Sequence, residues 1–129
     1  MLDASVLLAA EDTDDAHHAA ARRLLESGRA LATLDLAAYE VTNIAETRWR
    51  DPGAGDRLRE RIWLIATYGH LVRVDRELVD AAAQLARTHG LSAYDAAYLA
   101  AARQIGSTLA SCDECDLVDP GLATLPGDV

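Results

Sequence analysis

Four acidic residues carry the chemistry this chain could do: Asp3, Glu40, Asp95 and Asp113. They are far apart in sequence, yet each falls at the end of an expected strand or early in an expected helix. In an open α/β sheet those places share one edge, so the four carboxylates would converge there. Two bare carboxylates about 4 Å apart repel by roughly 4 kcal/mol at an effective dielectric of about 20. Gathering four of them calls for a cation or protons to neutralise them. Hard oxygen ligands of this kind suit Mg2+ or Mn2+.

Each position also has a plainer role. Asp3 could simply cap the helix that begins near Ser5. Glu40 lies in an apolar stripe with Leu36 and Ile44, where an unpaired carboxylate is expensive to bury, but a stripe-edge Glu can reach solvent. Asp95 completes a capping box with Ser92, although its side of the helix also carries Tyr98, Leu99 and Ala102. Asp113 could be a turn acid, and Glu114 and Asp116 compete for its role. The common edge, not any single position, carries the argument.

The elements that must position these acids alternate along the chain. Met1-Leu2 reads as the stub of a first strand, followed by a short helix over 5–10. A helix is expected over 15–27, with Gly28 as its stop, then a strand over 30–33. Asp35 would cap a helix running to about Arg50, and Asp51-Pro52-Gly53 would end it. Further helices are expected over 56–68, from Asp75 to Gly90 (bearing Leu78, Val79, Ala82, Leu85 and Ala86) and from Ser92 to about Ile105. Strands are expected over 71–74, 108–111 and, at an edge, 123–125. Strand–helix alternation over 1–129 argues for one three-layer α/β/α domain with a short central parallel sheet.

Composition narrows the functions. Half the residues are apolar and the net charge is −9, which disfavours a domain that coats nucleic acid or anionic lipid without selectivity. No apolar run is long enough to span a membrane, and no leader is evident. All twelve basic residues are arginine. Lysine-dependent phosphate loops and Schiff-base chemistry are therefore excluded. Arg48, Arg50, Arg57, Arg59 and Arg61 cluster, either as a solvated helical face paired with acids or as holders of phosphate. Cys112 and Cys115 form a lone C-x-x-C without partners for a zinc site; Cys112 reads as a strand-end core residue. Two cysteines and no leader fit a reducing cytoplasm.

Leu2-Asp3-Ala4-Ser5, the helical Glu40 with Val41 and Asn43, the block Ser92-Ala93-Tyr94-Asp95-Ala96-Ala97-Tyr98-Leu99-Ala100, and Ser111-Cys112-Asp113 occur in one order and spacing. Together they resemble the PIN-domain nucleases, and among them the VapC-type toxins of toxin–antitoxin pairs. The block from Ser92 to Ala100 is the most specific. The chain departs from the pattern in its very short first strand and in the cysteines flanking Asp113.

The resemblance implies a compact α/β/α fold and a metal-dependent endoribonuclease. It carries catalysis to Asp3, Glu40, Asp95 and Asp113, and Mg2+ or Mn2+ binding to Asp3, Asp95 and Asp113. Ser5, Asn43, Ser111 and Asp116 would support the site. It also implies a VapB-like antitoxin, a homodimer or toxin–antitoxin hetero-oligomer, and cleavage of transfer or ribosomal RNA loops to 5′-phosphate and 3′-hydroxyl ends. Arginines would hold the flanking phosphates. The region from Trp49 to Trp63 could accept an antitoxin helix, or both tryptophans could be core residues. A catalytically degenerate PIN-like module that only binds RNA or protein is the main rival. A receiver domain lacks its lysine here, and a haloacid-dehalogenase-type phosphatase lacks its second Asp, since that residue is Ser5.

Overall fold

Apolar residues at strand and helix spacing leave little choice about where the core lies. Leu2, Val6, Leu7, Leu34, Leu58 and Leu117 are essentially sealed from solvent. The computed structural model describes all residues, 1–129. The chain has no phenylalanine. Its interior is instead built from Leu, Val, Ile and many alanines, so the helices pack closely. Truncating a sealed leucine such as Leu58 to Ala would destabilise by about 2–5 kcal/mol.

The central sheet is parallel and narrow. Only two members are regular strands, β1 (Ala32–Leu34) and β2 (His70–Val72). They pair in the register Ala32–His70, Thr33–Leu71 and Leu34–Val72. The other positions are single parallel bridges, Leu2 to Thr33, Leu2 to Ala110 and Ala110 to Thr124. The spatial order is therefore β2, β1, Leu2, Ala110, Thr124. The expected strands over 108–111 and 123–125 are thus reduced to one bridging residue each. The Leu2 stub is held on both sides: its N–H donates to Ala32 O at 2.8 Å, and the Asp3 N–H donates to Ala110 O at 3.2 Å. Thr33 Oγ1 adds a buried bond to Leu2 O at 2.9 Å.

This order contains a switch point. From Leu2 the chain moves outward through β1 to β2, then returns to Ala110 on the other side. Right-handed crossovers put the helices of the outward path on one face and those of the return on the other. The outward helices are α1 (Ala4–Glu11), α2 (His18–Leu25), α3 (Leu36–Asn43) and α4 (Pro52–Tyr68); the return helices are α5 (Arg76–His89) and α6 (Ala93–Gln104). Helices α1, α3 and α4 touch one another, α5 packs on α6, and α4 and α6 both reach β1. The result is a three-layer α/β/α arrangement. Its crevice opens past Leu2 and Ala110, where Asp3 and the Ser111–Asp113 turn begin.

Local chemistry explains where the elements depart from expectation. Helix α2 starts at His18 rather than Asp15, because the Asp15 carboxylate accepts from His17 N at 2.7 Å and makes a turn of its own. Asp35 does not cap α3; its carboxylate accepts from Val74 N at 3.2 Å across the sheet edge. Helix α3 loosens into a π-helical segment, Ile44–Trp49, and Arg50 closes it in the left-handed region at φ 53°. Asp51-Pro52 then starts a helix rather than only ending one. The Asp51 side chain accepts from Ala54 N and Pro52 sits in the first turn, where its missing N–H is harmless. Helix α5 follows its expected cap at Asp75 and ends at Gly90, whose φ of 71° suits glycine. Val79, expected on the apolar side of α5, is exposed. Gly69 is required by space: a Cβ there would lie 2.0 Å from the Leu31 carbonyl oxygen. No helix is long and apolar enough to cross a membrane.

Candidate metal centre and active site

The switch-point crevice holds a cleft of about 530 Å3 lined by Asp3, Ser5, Glu40, Asn43, Asp95 and Asp113, among others. Five elements deliver these side chains: the Leu2 stub, α1, α3, α6 and the turn after Ala110. Their termini meet at this edge because all strands run the same way.

Of the four acids Asp3 is the most buried, 5% exposed. It caps α1, accepting from Val6 N at 3.2 Å, and Ser5 Oγ donates to Asp3 Oδ1 at 2.5 Å. Ser5 Oγ also accepts from Cys112 N at 2.8 Å, so one hydroxyl ties the first strand stub to the turn that carries Asp113. Ser111 Oγ accepts from Asp113 N at 2.9 Å and fixes that turn. Burial pushes the Asp3 carboxyl above the ordinary carboxylate range; hydroxyls of Ser111 and Ser5 offset part of this, and the charge of Asp95 adds to it.

Glu40 enters from α3 and is half-buried. Tyr98 Oη donates to Glu40 Oε2. Burial raises the Glu40 carboxyl, the Tyr98 bond lowers it in part, and Asp3 and Asp95 raise it further. The Tyr98 hydroxyl is itself pushed far up, by burial and then by Glu40, so it stays protonated and serves Glu40 as a donor. Asp95 stands in the first turn of α6, with Ser92 Oγ donating to its Oδ2 at 2.5 Å. The expected capping box therefore exists and coexists with a place in the cleft. Burial raises Asp95, Ser92 partly offsets this, and Asp113 and Asp116 repel its charge.

The closest grouping is Asp95, Asp113 and Asp116, which offer carboxylate oxygens all within 4.8 Å of one another. Asp113 opens a second π-helical segment, Glu114–Val118, and accepts from Asp116 N at 3.1 Å. That short turn folds Asp116 back onto Asp113. Asp3, Glu40, Asp95 and Asp113 line the cleft as the sequence suggested; Ser5, Asn43 and Ser111 lie in or beneath it. Asp116, expected only as support, belongs to the tightest cluster, whereas Asp3 is engaged by its own helix.

The trio fits a divalent cation. Its donors are all hard oxygens, close enough for one small divalent ion to draw together. No arginine lines the cleft. The repulsion felt by Asp95 is thus unrelieved by protein cations, as in sites built for a metal.

The arginine cluster lies elsewhere. Arg57 Nε pairs with Glu11 at 2.6 Å, and Arg59 pairs with Asp56 at 2.5 Å. Arg61 lines a separate groove between α2 and α4. No arginine therefore stands beside the acids to hold a phosphate, and for Arg57 and Arg59 the other reading, a helical face paired with acids, holds. Nor are both tryptophans core: Trp49 is partly buried, but Trp63 is 49% exposed. Cys112 is half-buried rather than in the core, and Cys115 is exposed. Tyr98 was absent from the sequence-derived site, although it follows Asp95 by one helical turn on the same face.

Comparison with known proteins agrees with this fold. The PIN domain family model matches residues 1–115. Ribonuclease VapC3 of Pyrobaculum aerophilum is 36% identical over 100 residues, spanning 72% of this chain and 73% of that protein. The chain therefore belongs to the PIN-domain family, among its VapC-type ribonucleases. The fold is also that of VapC20 of Mycobacterium tuberculosis, described as a sarcin–ricin-loop-cleaving toxin, with TM-score 0.77, 24% identity and 93% of each chain covered. A toxin–antitoxin complex from Klebsiella pneumoniae contains the same fold at TM-score 0.71 and 16% identity, covering 97% of this chain and 95% of that one.

Proposed function

We propose that this protein is a divalent-metal-dependent endoribonuclease acting as the toxin of a toxin–antitoxin pair. The observation that carries the reading is the carboxylate trio Asp95, Asp113 and Asp116, two of which, Asp95 and Asp113, line a cleft that also presents Asp3 and Glu40 and has no basic side chain. Asp95, Asp113 and Asp116 would hold Mg2+ or Mn2+, with Asp3 adding charge from behind. When bound, the ion polarises the scissile phosphate and acidifies water.

The chain's own groups do the rest. Ser92 orients Asp95, and Ser111 and Ser5 fix the turn carrying Asp113 relative to Asp3. Glu40, tuned upward by burial and steadied by Tyr98, is suited to take up a proton as water attacks phosphorus in line. The P–O3′ bond breaks and O3′ takes a proton from solvent, leaving a 5′-phosphate and a 3′-hydroxyl. Asn43, exposed at the cleft, is a neutral hydrogen-bonding group for the substrate. Unpaired RNA, as in transfer or ribosomal RNA loops, suits a cleft that admits splayed bases.

A VapB-like antitoxin is the expected partner. The groove of about 330 Å3 between α2 and α4, with Leu25, Leu64 and Tyr68 apolar and Arg29 and Arg61 cationic, suits an amphipathic helix bearing acidic residues. The protein is expected to work as a homodimer or as a hetero-oligomer with the antitoxin. The test is incubation of antitoxin-free protein with total cellular RNA and Mn2+, followed by end mapping. Discrete products with 5′-phosphate ends, absent in EDTA, support the reading. Intact RNA with a folded protein would favour the binding-module alternative.

A further inference from the structure

Among the residues lining the acidic cleft are two strongly exposed aromatic rings, Tyr39 at 79% and Tyr94 at 60%. Each immediately precedes a site acid: Tyr39 precedes Glu40 on α3, and Tyr94 precedes Asp95 on α6. The two helices come from opposite layers of the fold and meet here through the Tyr98–Glu40 bond. Neither phenol hydroxyl has a partner within the protein, and neither ring is used by the core. The rest of the wall is apolar, with Leu8, Leu36 and Ile44.

Charge makes these rings significant. A phosphodiester strand approaching this cleft meets Asp3, Glu40, Asp95 and Asp113 and no arginine. The protein as a whole carries −9. Attraction between phosphates and basic side chains, the usual source of nucleic-acid affinity, is therefore missing at the point of cleavage. Nucleobases have neutral π-faces that stack on aromatic side chains irrespective of this field.

We infer that Tyr39 and Tyr94 are base-stacking platforms on the two helices that flank the acid cluster, so that the enzyme grips RNA by unpaired bases beside the scissile phosphate. This rests on the ribonuclease reading and adds to it how the substrate is held. Bases in a duplex have both faces covered, so a paired strand cannot use the platforms. Recognition is correspondingly tolerant of base identity at the stacked positions.

The test is steady-state cleavage of a fluorescein-labelled, mixed-sequence single-stranded RNA with Mn2+, comparing wild type with Tyr39→Ala, Tyr94→Ala and the corresponding Phe variants. A parallel strand carries abasic residues on both sides of the mapped cleavage site. Each Ala variant is expected to raise KM at least about fivefold, the loss of one stacked base, with kcat little changed. The Phe variants keep the wild-type KM, and the abasic strand shows no difference between wild type and Ala variants. Unchanged KM in both Ala variants overturns the inference while leaving the ribonuclease reading intact. So does an equal loss on the abasic strand. An Ala variant that changes the sedimentation coefficient but not KM assigns the rings to self-association and also overturns it. Absence of cleavage by wild type removes the ribonuclease reading first and the inference with it.

Discussion

Tyr98 on α6 donates its hydroxyl hydrogen to Glu40 on α3, joining the two helical layers across the open edge of the sheet. Tyr98 is 2% exposed, so its ring is part of the core while its oxygen is part of the site. One residue thus couples packing to the placement of a carboxyl group.

Tyr98→Phe keeps the ring and removes the donor. The half-buried Glu40 carboxyl then lacks its partner, which should destabilise the protein by about 1–3 kcal/mol. Because the Tyr98 bond holds the Glu40 pKa down, its loss moves that pKa further up. The acid limb of the pH–rate profile should therefore shift to higher pH. Urea unfolding and the cleavage rate against pH check the two parts; an unshifted limb would separate Glu40 from the titration that controls rate.

Burial raises the carboxyls of Asp3, Glu40 and Asp95. In the metal-free protein the folded state therefore keeps protons that the unfolded state releases. The stability these groups contribute is fully present below the unfolded carboxylate pKa of about 4 and is lost as pH rises through their raised folded values. Asp95→Asn removes one member of the set. In EDTA its Tm should exceed that of wild type at neutral pH, with the difference vanishing near pH 4. Divalent cation should raise the wild-type Tm and do little for the variant. Thermal unfolding with pH and Mn2+ as variables tests this; a pH-independent difference would contradict it.

Gly69→Ala would set a Cβ 2.0 Å from the Leu31 carbonyl oxygen, which also accepts from His70 N at the start of β2. The backbone must shift, and a loss of at least about 1–3 kcal/mol is expected in chemical denaturation. A variant of wild-type stability would show that the β1–β2 edge yields without cost.

The Cys112 thiol is pushed up to about 12 by burial, with the charge of Asp3 adding to the effect. Iodoacetamide at mildly alkaline pH should label the exposed Cys115 and spare Cys112, since the thiolate is the nucleophile. Peptide mass mapping reads this directly, and modification of Cys112 in folded protein would show that the turn opens.

Much of this arrangement is legible in the sequence because local signals and the global fold agree. Ser92 and Asp75 cap where they should, Gly90 ends α5, and the four spaced acids reach one cleft. The failures have physical causes. Leu2, Ala110 and Thr124 act as strands through one bridge each, too short to leave an alternating pattern. Asp51-Pro52-Gly53 reads as a stop, although the same residues cap and open α4. Asp116 gains its place through a π-helical turn, whose spacing has no simple sequence signature. The sequence leaves the arginine cluster open between an acid-paired face and phosphate ligands, because the partner of Arg57, Glu11, lies 46 residues away. Tyr39 and Tyr94 are indistinguishable from core aromatics without knowledge of their exposure.

The most direct measurement is RNA cleavage by wild-type protein and Asp95→Asn side by side, in Mn2+ and in EDTA, with folding of both samples verified. The expected result is discrete cleavage by wild type that EDTA abolishes. Asp95→Asn should stay folded and lose more than the about 10–100-fold typical of removing an outer-shell partner of a metal. Cleavage at the wild-type rate by Asp95→Asn, or wild-type cleavage indifferent to EDTA, would contradict a metal centre built on Asp95, Asp113 and Asp116.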